Sequence, residues 1–201
     1  VLARFKPAGV VRSRDNSSRG ALMMEPKVFK LKICFVGDEA VGKTSLVRRF
    51  VTGLFDEVYI RTLGAVVSKK TVSLDGRAGR PLQVDMVILD IMGKRTFMQL
   101  FKDAYFSGAR GVLAVCDLTR KETLLGLKAW INGVRETVGP VPVFVLANKK
   151  DLRERIEVSD ADLENVLGGY NVHILKTSAR TGENVEEAFA GLAKDIAQKD
   201  A

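Results

Sequence analysis

Hydrophobic and polar positions along this chain switch repeatedly between a period of two and a period near 3.6. That switching predicts the architecture before any motif is considered. Val28 to Val36 starts with charged residues interleaved among apolar ones and ends as an apolar run, as a strand entering a sheet interior does. From Ser45 onward, apolar residues fall at 46, 47, 50 and 51, the spacing of one helix face. A polar stretch, Thr52 to Thr62, separates these from two strand-like runs, Ala65 to Leu74 and Leu82 to Leu89. Asp75-Gly76-Arg77-Ala78-Gly79 between them is turn chemistry, which predicts a hairpin. A helical segment over Thr96–Phe106 follows, then a buried strand over Gly111–Asp117.

Thr119 is placed to cap the next helix, with Glu122 completing a capping box and the helix running past Trp130. Val141 to Asn148 is another apolar strand. Ser159 caps a short helix ending at Leu167, and Val172 to Lys176 is the last strand. Gly182 to Lys199 reads as the last helix, apolar at 185, 188, 189, 192, 193 and 196. Strands and helices in near-strict alternation imply a three-layer α/β fold. The sheet would have six strands, mostly parallel, with one antiparallel edge strand, and about five helices. Ligands on such sheets lie beyond the carboxyl ends of the strands, which singles out the loops after 36, 89, 116, 147 and 177.

The first of those loops is Gly37-Asp38-Glu39-Ala40-Val41-Gly42-Lys43-Thr44, followed by Ser45. A glycine, four residues, then Gly-Lys-Thr between a strand and a helix is a complete phosphate-binding loop. Its glycines let successive backbone N–H groups turn inward toward an anion. Lys43 is placed to reach β- and γ-phosphates and the Thr44 hydroxyl to ligate Mg²⁺. The helix behind offers its positive end to the same charge.

The loop after 147 is Asn148-Lys149-Lys150-Asp151. A carboxylate at Asp151 can accept two N–H bonds from guanine N1 and its exocyclic amine. Adenine offers no such pair, a penalty of roughly 1–3 kcal/mol. Asn148 can tie neighbouring loops together and the Lys149 stem can lie over the base. In the loop after 177, Ser178-Ala179-Arg180, the Ala179 N–H is available to guanine O6. The ligand expected is therefore GTP or GDP.

Composition narrows the picture further. The 201 residues suit one domain, and 46% hydrophobic with 28% charged residues is ordinary for a globular protein. No apolar run approaches the ~20 residues needed to span a bilayer. Cys34 and Cys116 fall inside predicted buried strands, so they are expected as reduced core residues in a cytoplasmic compartment. His173, the single histidine, is expected near the start of a strand without catalytic duty. Part of the net charge of +8 comes from residues 1–26. Arg4, Lys6, Arg12, Arg14 and Arg19 there face few acids and show no clear period, which reads as a mobile basic arm ahead of a domain over 27–201. A solvated run is the plainer reading of that arm. Contact with an anionic membrane is the functional one, and nucleic acid is the weaker expectation.

Taken in order, Gly37–Thr44, Thr62, Asp90-x-x-Gly93, Asn148–Asp151 and Ser178-Ala179 resemble the five motifs of the Ras-like small GTPases, across about Phe29 to Ile196. The resemblance implies a P-loop NTPase fold and a switch that cycles between GTP and GDP, hydrolysing GTP. It implies that Thr44, Thr62 and Asp90 serve Mg²⁺, Asp90 through a water, and that the Gly93 N–H contacts the γ-phosphate. Phe55 stands where the family sets a ring on the guanine, and Tyr59 where a ring covers the phosphates. Effector, exchange-factor and activating proteins would then be met through 54–64 and 90–106, in signal transduction.

Several residues depart from that pattern. The family's water-orienting glutamine is here Lys94, an ammonium with three donors and no acceptor. Glu39 occupies a position that is often glycine or serine, where a carboxylate crowds the catalytic water. It is expected to pair with Lys94 or Arg95. Leu89, Ile91 and Met92 replace the usual residues around Asp90, and Arg180 replaces a lysine. Lys43, Thr62, Gly93 and Lys94 are thus the residues expected to act at the reacting phosphate, at a slow rate. The rival expectation is a GTP-binding scaffold with negligible hydrolysis. Lys194–Ala201 contains no cysteine, so no prenyl anchor is expected in this chain, as in a truncated protein or a cytosolic, even prokaryotic, relative.

Overall fold

A computed structural model describes residues 27–58, 61–75 and 81–199. The arm over 1–26, Tyr59 and the hairpin turn lie outside the described residues. The elements run β1 (Lys27–Val36), α1 (Lys43–Thr52), β2 (Ala65–Asp75), β3 (Pro81–Ile91), α2 (Arg95–Phe106), β4 (Gly111–Asp117), α3 (Lys121–Val138), β5 (Val143–Asn148), α4 (Asp160–Leu167), β6 (His173–Lys176) and α5 (Val185–Lys199). They form one six-stranded sheet in the order β2-β3-β1-β4-β5-β6. Only β2 is antiparallel. It pairs with β3 from Ala65↔Ile91 to Asp75↔Pro81, whereas β1, β3, β4, β5 and β6 run parallel.

Strand alternation divides the core into two layers, one on each face of the sheet. Leu31, Ile33 and Phe35 of β1 point to the side covered by α1 and α5, where they meet Leu46, Phe50, Phe189 and Leu192. Cys34 and Val36 point to the other side, under α2, α3 and α4, with Trp130, Leu127 and Leu163. Phe50 and Phe189 stack with ring centroids 3.6 Å apart, closing α1 against α5. β4 and β5 are buried along their whole length, which is why they read as continuous apolar runs. Both cysteines are buried and free, and burial pushes each thiol up to about 12.

Most predicted elements recur with small shifts: α2 begins at Arg95 and α5 at Val185. Ser159 caps α4 through a capping box with Asp162. The expectation for Thr119 fails. α3 starts one residue later, behind Arg120, with no side-chain cap. The Thr119 backbone N–H and hydroxyl both donate to Asp117 Oδ1, at 2.9 and 2.7 Å, which turns the hydroxyl back onto the end of β4 and away from the first turn of α3. His173 opens β6, stacked on Phe144 and 3.0 Å from the Asp195 carboxylate.

Candidate functional site: a cavity at the strand ends

A cavity of about 590 Å³ opens beyond the carboxyl ends of β1, β3, β5 and β6. That size suits a small-molecule ligand. Its phosphate end is the loop between β1 and α1. Gly42 turns the chain into α1 with φ 100°, a conformation that costs glycine little, and a Cβ there would sit 2.3 Å from Asn148 Nδ2. The first turn of α1 carries no acidic residue, so its free N–H groups and positive end face the cavity uncompensated. Ala40 also adopts a left-handed φ of 59°, and Lys149 across the cavity one of 68°. Lys43 is buried, and its ammonium donates to the Gly37 and Asp38 carbonyls at 2.8 and 2.9 Å. Burial lowers its pKa to about 8, against the opposing charges of Asp90, Asp38 and Glu39.

Three oxygens gather beside it. Thr44 Oγ1 donates to Asp90 Oδ2 and lies 2.8 Å from Thr62 Oγ1. A threonine hydroxyl has one proton, so Thr62 is the donor in that second bond. Asp90 Oδ1 is buried and has no hydrogen-bond partner among the described residues. Burial also raises the Asp90 carboxyl above its usual range, with the Thr44 bond and the Lys43 charge opposing. Gly93, two residues past β3, packs on the loop: a Cβ there would stand 2.5 Å from Asp38 C and Glu39 N.

The base end is built from buried polar groups. Asn148 Nδ2 donates to the Val41 carbonyl at 2.9 Å, and Asn148 Oδ1 accepts from the Thr177 hydroxyl at 3.3 Å and the Ala179 N–H at 3.2 Å. The Ala179 N–H is therefore engaged, not free as the sequence suggested. Ser178 Oγ donates to Asp151 Oδ1 at 2.6 Å and fixes that carboxylate at the cavity wall. Lys149 Nζ meets Asp117 Oδ2 at 2.6 Å. Asp117 is buried. Burial pushes its carboxyl up, but the bonds from Lys149, Thr119 and Arg120 outweigh this and hold it below the usual range. Arg120 Nη2 continues the chain to the Glu39 carbonyl at 2.9 Å, joining base end to phosphate end.

The chain's likeness to known proteins is consistent with this geometry. The Ras family matches residues 32–198. The chain belongs to the Ras family. Among relatives of this Ras-family protein, Ras-related protein Rab-8 of Diplobatis ommata is 35% identical over 172 residues, spanning 85% of this chain and 79% of that protein. Ras-related protein Rab-8B of Homo sapiens is 34% identical over 172 residues, spanning 85% of this chain and 80% of that protein. Ras-related protein Rab-8B of Dictyostelium discoideum is 33% identical, with 85% and 82% covered. As a Ras-family member the chain is a GTP-binding switch protein with GTPase chemistry, and it meets regulators and effectors.

Within that family frame, the structure draws together some expected site residues and sets others apart. Glu39, Ala40, Gly42, Lys43, Thr44, Ser45, Phe55, Thr62, Gly93, Asn148, Lys149, Asp151, Ala179 and Arg180 line the cavity. Among the described residues, Asp38, Val41, Ser178 and the expected metal ligand Asp90, which is buried behind the wall, do not. Asp38 turns its carboxylate under the loop, accepting from Trp130 Nε1 at 2.8 Å and facing Arg95 at 3.3 Å. Val41 is core, and Ser178 acts through Asp151. Lys94 is exposed and does not line the cavity. Glu39 pairs with neither Lys94 nor Arg95. Its Oε1 accepts from Arg61 Nη2 at 2.8 Å and Nε at 3.1 Å, because Arg61 lies across the cavity while Arg95 is taken by Asp38. Arg61, Asp117 and Arg120 escaped the sequence reading. Asp117 carried a signal: it is the charge that ends an apolar strand beside a ligand-side loop. Arg61 carried none, since its partner lies 22 residues away.

Proposed function

We propose that this Ras-family switch turns GTP over slowly and holds Mg²⁺ between Thr44, Thr62 and Asp90. The residues fit such an ion. One buried carboxylate with an orphan oxygen beside two hydroxyls is a hard-oxygen donor set, to be completed by phosphates and water. No cluster of three His, Cys, Asp or Glu occurs among the described residues, which leaves this hydroxyl-rich set as the candidate. When bound, Mg²⁺ neutralises charge on the β- and γ-phosphate oxygens. The chain itself grips the phosphates with Lys43 and the N-terminus of α1, and reads guanine with Asp151. Thr62 and Gly93 are the contacts that register a γ-phosphate, so the segments around them would loosen on its loss.

The observation that carries the slow rate is the position of Lys94. It stands where the family's water-orienting glutamine belongs, yet its side chain is exposed and outside the cavity wall. An ammonium cannot accept a proton from water in any case. Single-turnover hydrolysis with Mg²⁺ tests this: Lys94→Gln is expected to raise the rate about tenfold. A rate that stays level or falls removes Lys94 as the defect. Glu39, at the phosphate pole, is the second brake.

A scaffold that binds GTP with negligible hydrolysis is the alternative, favoured by the ion pairs that already tie both switch segments to the loop. Overnight incubation with GTP and product analysis separates the two. Partner proteins would be met through 54–64 and 90–106 in signal transduction, where Val58, Leu63, Leu100 and Phe101 are exposed. A cytoplasmic location completes the proposal, with the basic arm over 1–26 read as a solvated run and membrane contact as its alternative.

A further inference from the structure

We propose that Arg61 is a charge donor to the transferring phosphoryl group, supplied by the chain itself, and that Glu39 brakes hydrolysis by holding Arg61 off that group. This rests on the GTPase reading above. Arg61 immediately precedes Thr62, whose hydroxyl is fixed 2.8 Å from that of Thr44, so its backbone is anchored one residue from the Mg²⁺ position proposed above. Arg61 lines the same cavity as Lys43, Thr44 and Gly93, and its guanidinium is held there on Glu39 Oε1. The other switch cations are spent or misplaced. Arg95 faces Asp38 beneath the loop, and Lys94 does not line the cavity.

The Glu39–Arg61 pair is well formed but half-exposed, with side chains 39% and 47% accessible. Solvent screens such a pair, so it is readily exchanged. A polyphosphate is the stronger competitor for a guanidinium, offering several charged oxygens in bidentate geometry. In the step itself a water oxygen bonds to the γ-phosphorus as the bond to the β–γ bridging oxygen breaks. GDP leaves with that electron pair, and a water proton passes to the released phosphate. Charge builds on the bridging and γ-oxygens, where a guanidinium lowers the barrier. Glu39 opposes this by pairing with Arg61 and so neutralising it.

A double-mutant cycle on the full chain tests the idea, by single-turnover GTP hydrolysis and by ¹⁹F NMR of GDP·Mg²⁺·aluminium fluoride capture without any activating protein. Glu39→Ala is expected to raise the rate about tenfold, and Arg61→Ala to lower it about tenfold. In the Arg61→Ala background, Glu39→Ala is expected to change nothing. Glu39→Ala should capture aluminium fluoride and the double variant should not. An equal gain from Glu39→Ala with and without Arg61 overturns the proposal, since Glu39 would then act by crowding alone. Fluoride capture independent of Arg61, or capture by no variant, overturns it too. A Lys94→Gln variant with no gain sinks the Lys94 reading and leaves this cycle to be judged on its own result.

Discussion

The two ends of the nucleotide cavity are built by opposite means. At the base end, Asn148, Thr177, Ser178 and Asp117 are buried, and their bonds span 2.6–3.3 Å within a connected network. At the phosphate end, two of the contacts are partly exposed ion pairs: Glu39 with Arg61, and Asp38 with Arg95. A buried bond is costly to break because its partner is stranded without water, whereas an exposed pair is worth little and exchanges freely. The contrast suggests that recognition of the base is fixed by structure, while turnover is set by charges that can change partner.

The largest effect is expected where the buried network converges. Asn148→Ala strands the Val41 carbonyl, the Ala179 N–H and the Thr177 hydroxyl, and should cost about 3 kcal/mol in chemical denaturation. A loss under about 1 kcal/mol would erase the distinction between the two ends. Next comes Asp117→Asn, which keeps the shape but removes the charge facing Lys149 and Arg120. GDP affinity should weaken about tenfold in a fluorescent-nucleotide titration, the worth of one charge-assisted bond. Unchanged affinity would mean that Lys149 is positioned by its backbone alone.

Asp162 sharpens the comparison, because it is a surface carboxylate fixed by geometry. Lys121, then the Ser159 N–H and hydroxyl, hold its carboxyl below the usual value of 3.8. The sign follows from that direction. The contribution is complete above pH 3.8 and is lost as pH falls through the lower folded value. Asp162→Ala should therefore lower Tm at pH 7, and the gap should narrow as the medium is acidified below pH 3. A gap that persists there would assign the effect to packing. The smallest effect is expected for Arg95→Ala, within about 0.5 kcal/mol, since Asp38 keeps its bond from Trp130. A larger loss would show that the pair clamps α2 to the phosphate loop.

Much of this was legible because it follows from local periodicity. β1 through α1, the β2–β3 hairpin and the helix face at 185, 188, 189, 192, 193 and 196 are set by alternation and turn chemistry within a few residues. The cavity position followed from the strand-end rule. Illegible were choices between competing partners brought together from afar. Thr119 had a helix cap open to it, but its hydroxyl and N–H both turn back to donate to the Asp117 carboxylate. Glu39 had Lys94 and Arg95 as expected partners, yet it meets Arg61, because Asp38 claims Arg95 and Arg61 enters from across the cavity. Charge type is written in the sequence, whereas the allocation of charges is decided by tertiary distance.

Cys34 and Cys116 sit near the middle of the sheet, in β1 and β4, with thiols that burial keeps protonated to about 12. Only a thiolate reacts with an alkylating reagent. These two side chains are consequently silent while the sheet is closed and reactive once it opens. Alkylation of the unmodified protein would count openings of the central strands one by one. Because a bound ligand favours the closed form in proportion to its affinity, the slowing of that count by GDP or GTP would weigh each nucleotide's grip without a label on either.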